Sequence, residues 1–113
     1  MQIRVPEAAK LEHGKTILFE YPSQYGNQQG FILRYGEGFH AYRNKCQHWP
    51  IPLDYGESEF YYADVDRILC KTHGAQYHPA TGECDAGPCQ KAALERFHLE
   101  FEGADALITV PDL

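Results

Sequence analysis

The chain has 113 residues, a formal net charge of −6 and 43% hydrophobic residues, which suits one domain with its own core and leaves no length for a catalytic domain beside it. No apolar stretch approaches the roughly 18 to 20 residues of a membrane span. No basic cluster is present to displace counterions from phosphates, which argues against nucleic acid and anionic lipid as partners, so the acidic charge serves a basic docking face or solubility alone.

Met1-Gln2-Ile3-Arg4-Val5-Pro6-Glu7 has no apolar run of signal-peptide type, which predicts a cytoplasmic protein. In that reducing setting the four cysteines favour metal ligation over a disulfide framework. Pro6 to His13 can host a helical turn. Thr16-Ile17-Leu18-Phe19-Glu20-Tyr21 is rich in β-formers and predicts a strand ending at Pro22, and polar Ser23 to Gln29 predicts a loop. Phe31-Ile32-Leu33-Arg34-Tyr35 and Phe39-His40-Ala41-Tyr42-Arg43 flank Gly36-Glu37-Gly38, a hairpin signature. The second strand runs through Asn44-Lys45 into Cys46, which puts the next segment on a loop at a strand end.

Cys46-Gln47-His48 and Cys70-Lys71-Thr72-His73 form two matched arms, each a short step from a thiol to an imidazole. Asp64-Val65-Asp66-Arg67-Ile68-Leu69 approaches the second arm as a turn and a short strand, so both arms are expected at sheet edges. Beyond it come Gly74-Ala75-Gln76-Tyr77, Thr81-Gly82 and Gly87-Pro88. Cys89 to Leu94 can host a helical turn. Phe97, Leu99 and Phe101 alternate with His98, Glu100 and Glu102, Gly103-Ala104-Asp105 turns the chain, and Ala106 to Val110 closes a C-terminal hairpin.

Three readings of the arms stand on the residues alone. A lone cysteine or histidine is often an ordinary packed or surface group. A structural zinc site uses the same Cys2His2 donors, and would make the chain an interaction module. Zinc chemistry, however, has no need for the Gly-x-x-Tyr and Gly-Pro that follow. His13, His40, His78 and His98 fit neither arm, and no nucleophile triad, phosphate loop or flavin fingerprint is present.

The string C-x-H, a spacer, C-x-x-H-G, an aromatic four residues past the second histidine, then T-G and G-P resembles a Rieske iron-sulfur protein. The resemblance implies an all-β fold, a Rieske-like antiparallel β-sandwich occupying residues 1–113 as one domain, with an inserted cluster-binding subdomain at roughly 46–88. It implies a 2Fe-2S cluster held by Cys46, Cys70, His48 and His73, the thiolates on one iron and the imidazoles on the other, with the raised reduction potential of that mixed ligation. Gly74 would permit close backbone approach, Trp49 and Pro88 would shield the cluster, and Tyr77 would donate a hydrogen bond where Ala75 offers none.

Short stand-alone members of that family are ferredoxins or small subunits. The chain is therefore expected to be a one-electron carrier, itself no enzyme, between a reductase and an electron-accepting oxygenase or other oxidoreductase; the alternative is a stably bound regulatory subunit. Two departures from the family are Lys71, where proline is frequent, and the run Trp49-Pro50-Ile51-Pro52-Leu53-Asp54 after the first arm. Cys84 and Cys89 match no ligand position and are expected to be reduced, packed thiols, with a local disulfide or a redox-sensing role as the other readings.

Overall fold

The structure, a computed structural model, describes residues 1–24, 26–45, 53, 60–70, 74–87 and 92–111. Ten strands follow one another: β1 (Gln2–Val5), β2 (Thr16–Ser23), β3 (Gly26–Tyr35), β4 (Gly38–Arg43), β5 (Tyr61–Tyr62), β6 (Arg67–Leu69), β7 (Gln76–Tyr77), β8 (Cys84–Ala86), β9 (Arg96–Glu102) and β10 (Asp105–Thr109). They form a six-stranded sheet ordered β1-β10-β9-β4-β3-β2 and a four-stranded sheet ordered β5-β6-β7-β8. All pairings between these strands are antiparallel. The smaller sheet lies in sequence between β4 and β9, the arrangement expected of an inserted unit.

β3 explains how the two sheets hold together. Gly30 to Leu33 are all buried, a continuous run where a half-exposed strand would alternate, because both faces of this strand are covered. Phe31 and Leu33, with Tyr42 of β4, pack against Leu53, Phe60, Ile68, Cys70, Ala75, Tyr77 and Cys84 on the side of the small sheet. Ile32 and Ala41 point the other way, into a second cluster with Val5, Phe19, Tyr21, Phe97, Ala106 and Ile108. Phe31 stacks on Phe60 with centroids 4.0 Å apart. The Tyr42 hydroxyl donates to the Pro79 carbonyl at 2.8 Å, tying the β7–β8 turn to the wall; burial pushes its pKa up to about 12.

A polar seam joins the sheets at their other margin. The Tyr35 and Tyr61 hydroxyls both donate to the Asp66 carboxylate, at 2.9 and 2.5 Å, and the His13 ring lies against both phenol rings. The two hydroxyls hold the Asp66 carboxyl below its usual range. Burial and then the Asp66 bond push Tyr61 up to about 12, and the Asp66 bond with burial raises Tyr35.

The hairpins at Gly36-Glu37-Gly38 and Gly103-Ala104 form as expected, and the turn expected within Pro6 to His13 is a single 3-10 turn at Ala8–Lys10. Three expectations are corrected. The loop expected over Ser23 to Gln29 is largely strand: β2 continues through Pro22, which pairs with Asn27. Proline is tolerated because β2 is an edge strand, where a missing N–H removes no second ladder. The helical turn expected at Cys89 to Leu94 is not formed in its described part, where Ala93 instead bridges Glu83. Both arms leave from interior strands, β4 and β6, and not from sheet edges.

Candidate metal centre

The second arm begins at Cys70, directly after β6. This cysteine is fully buried, and its N–H donates to the Ala75 carbonyl at 2.9 Å while its own carbonyl accepts from the Gly74 N–H at 2.8 Å. Two backbone bonds thus join Cys70 to Gly74 and Ala75 across the base of the second arm. Gly74 has φ 73°, a left-handed conformation natural to glycine, and among the described residues no atom lies within 4 Å of where a side chain would start. Ala75 and Tyr77 follow, both fully buried.

Gly87 seals this stem from outside. A Cβ there would lie 2.8 Å from the Ala75 Cα and 3.2 Å from the Gly74 carbonyl oxygen, so the backbone before Pro88 rests directly on the backbone of the second arm. This contact is what the sequence motif Gly-Pro contributes within the described residues.

The first arm is bracketed by Asn44 and Leu53. The Asn44 Oδ1 accepts the Leu53 N–H at 2.7 Å, and its Nδ2 donates to the Gln29 Oε1 at 3.1 Å. Its own N–H continues the β3–β4 ladder to the Gln29 carbonyl at 2.8 Å. Leu53 is fully buried and shares one apolar cluster with Cys70, Ala75 and Tyr77. The stems of the two arms, well separated in sequence, therefore meet over a common dry base. Asn44 was not singled out in the sequence; its signal was a turn-favouring amide just past a strand and before a loop.

Of the residues expected at the site, Cys70, Gly74, Ala75 and Tyr77 are brought together here. Cys46, His48, Trp49, His73 and Pro88 lie outside the described residues, and among the described residues no three Cys, His, Asp or Glu gather. The donor chemistry fits a mixed thiolate and imidazole centre: a thiol in a water-poor base, an arm joined at its base by backbone bonds, and an open glycine next to it. Cys84 corrects an expectation, for it is in a disulfide and not a reduced thiol. Cys70 takes no part in it. The chain doubles back here, with the Cys84 N–H donating to the Ala92 carbonyl at 2.9 Å, a return that the residue pattern alone did not disclose.

Away from the arms, the His40 ring sits 3.0 Å from the Arg96 guanidinium; burial, then Arg96 and His78, lowers its pKa. No helix among the described residues is long and apolar enough to cross a membrane.

A family model for the Rieske [2Fe-2S] domain matches residues 2–109. Comparison with curated proteins gives no match. Among solved structures the chain is similar to the ferredoxin of carbazole 1,9a-dioxygenase from Nocardioides aromaticivorans, at 22% identity and TM-score 0.68, covering 95% of each chain. It is also similar to a Sphingomonas yanoikuyae ferredoxin, at 22% identity and TM-score 0.72, covering 98% of this chain and 100% of that one. A third likeness is to a chain in the complex of reduced oxygenase and oxidized ferredoxin of carbazole 1,9a-dioxygenase, at 22% identity and TM-score 0.70, covering 95% and 91%. At such identities these likenesses establish the fold.

Proposed function

This chain belongs to the Rieske [2Fe-2S] domain family, and we propose that it works as a one-electron carrier whose cluster is held by Cys46, His48, Cys70 and His73. The cluster supplies reversible one-electron chemistry in the raised potential range of mixed Cys2His2 ligation. The protein supplies the rest. Cys70 presents its sulfur from a dry base, the backbone of Gly74 leaves room for close approach, and Gly87 presses the second arm into place. The observation that carries this reading is the meeting of both arm stems in one buried cluster, Leu53 from the first with Cys70 and Ala75 from the second.

The cluster-binding unit is taken as residues 46–88 of a domain spanning 1–113. The partners proposed are a reductase and an electron-accepting oxygenase, a reading supported by likeness to a ferredoxin whose structure is known with its oxygenase. The cytoplasm is the proposed location, and there burial of Cys84 would shield its disulfide from the reducing pool.

The test is analytical. Purified protein should be red-brown with two irons and two acid-labile sulfides per chain, each a consequence of the proposed cluster. His48→Ala and His73→Ala should each lose the cluster while His78→Ala keeps it. Zinc without sulfide, or bleaching by His78→Ala alone, would overturn the assignment.

A further inference from the structure

We infer that Asn44, working with Gln29, is the positioning residue that fixes the mouth of the first ligand arm; this rests on the proposed ligation by Cys46 and His48. Asn44 is the buried polar side chain of the described core, 7% exposed. Buried amides are nearly always hydrogen-bonded through both their oxygen and their nitrogen. Here the Leu53 N–H is a donor and fixes which amide atom faces it, so Oδ1 accepts at 2.7 Å and Nδ2 is turned to the Gln29 Oε1 at 3.1 Å.

The two arms are tied at the base by different means. The second spans few residues, and backbone bonds join Cys70 to Ala75 and Gly74. The first leaves β4 and returns at Leu53, where the Asn44 side chain ties residue 44 to residue 53. Cys46 and His48 lie inside that tie. An amide is the group required, because it accepts from Leu53 and donates to Gln29 at once. Alanine does neither, and aspartate keeps only the acceptor. Gln29 is in turn held by the β3–β4 ladder, since its carbonyl takes the Asn44 N–H at 2.8 Å. The brace thus transmits the position of the central wall to the first arm.

The test compares wild type, Asn44→Ala, Asn44→Asp, Gln29→Ala and, as a control for general destabilisation in the other cluster, Ile108→Val, all as full-length protein. Two quantities are read: the rate of iron release to an excess ferrous chelator with dithionite present as reductant, and amide hydrogen exchange at Leu53 in the protein as purified. Asn44→Ala should release iron at least tenfold faster than the control and lose protection at Leu53. Asn44→Asp should keep most of that protection, and Gln29→Ala should show a smaller acceleration. Iron release from Asn44→Ala at the control's rate would overturn the inference, as would unchanged exchange at Leu53. If Asn44→Ala does not accumulate folded, Gln29→Ala decides: parity with wild type in both readouts overturns it. A wild type lacking iron and sulfide would overturn the proposed function, while exchange at Leu53 would still judge the brace.

Discussion

Gly87→Ala is the substitution that most directly probes how the second arm is held. The new methyl would start 2.8 Å from the Ala75 Cα, 3.2 Å from the Gly74 oxygen and 3.3 Å from the Ala75 nitrogen. All three are backbone atoms, so no side chain can swing aside, and the chain must yield by about 0.6 Å to reach ordinary contact. The residue also has φ 93°, and a left-handed conformation costs an L-residue about 1–2 kcal/mol. Overpacking of a tight site adds about 1–3 kcal/mol, for a total on the order of 2–5 kcal/mol. Gly103 is the matched control: its φ is 63° and nothing lies within 4 Å of its Cβ position, so Gly103→Ala should cost only the conformational part. At about 4 °C per kcal/mol for a chain of this size, Gly87→Ala should lower Tm by about 8–20 °C and Gly103→Ala by about 4–8 °C. Thermal unfolding by far-ultraviolet circular dichroism, with visible absorbance followed in parallel, measures both. Equal losses in the two variants would refute the contact argument, and unchanged retention of colour in Gly87→Ala would refute its bearing on the arm.

Tyr42→Phe should cost about 1–3 kcal/mol, since it removes a buried hydroxyl and leaves the Pro79 carbonyl without that donor; an unchanged denaturant midpoint would contradict it. Tyr77→Phe should lower the reduction midpoint and Ala75→Ser should raise it, by several tens of millivolts to about 100 mV, as hydrogen bonds to a sulfur that gains charge on reduction would require; voltammetry showing no shift for Tyr77→Phe would remove the phenol from the site. The seam of Tyr35, Tyr61 and Asp66 sets a pH window. Asp66 is held below its usual range by the Tyr61 and Tyr35 hydroxyls, so its contribution to stability is present above the ordinary carboxylate pKa of about 3.9 and is lost as pH falls through the depressed value. Tyr61, raised to about 12 by burial and Asp66, contributes fully below about 10 and loses that contribution as pH climbs toward its folded value; phenolate absorbance should show its late ionisation, and Asp66→Asn should bring it earlier.

Legibility of the fold from sequence followed the range of the interactions. The β3–β4 hairpin and the C-terminal hairpin were readable because glycine turns and apolar alternation are local. β1 left no local trace: Gln2–Val5 pairs with β10 at the opposite end of the chain, and four residues of mixed polarity carry no period of their own. Gly26 to Gln29 read as loop by composition, yet they are held as strand by their ladder to Thr16–Ser23. Near the proposed site, Cys70, Gly74, Ala75 and Tyr77 could be picked out because they fall in one short stretch of fixed spacing, and their proximity follows from chain continuity. Asn44 and the contact of Gly87 with Ala75 could not, because each depends on a backbone from elsewhere arriving at a particular distance. The oxidation state of Cys84 was missed for a related reason, since the argument from compartment weighed the whole chain and not the local return at Ala92.

The wall made by β3 and β4 has a consequence for anyone who would transplant this centre. Strands of two or three residues such as β5 to β8 cannot sustain themselves in water, and this sheet draws Phe31, Leu33 and Tyr42 from outside its own sequence range. A graft cut at the two ends of the arm-bearing segment would leave those three side chains behind and expose the underside of Cys70. The portable unit is discontinuous, the segment together with the hairpin of β3 and β4, and a recipient scaffold must offer a strand able to bear apolar side chains on both faces at once.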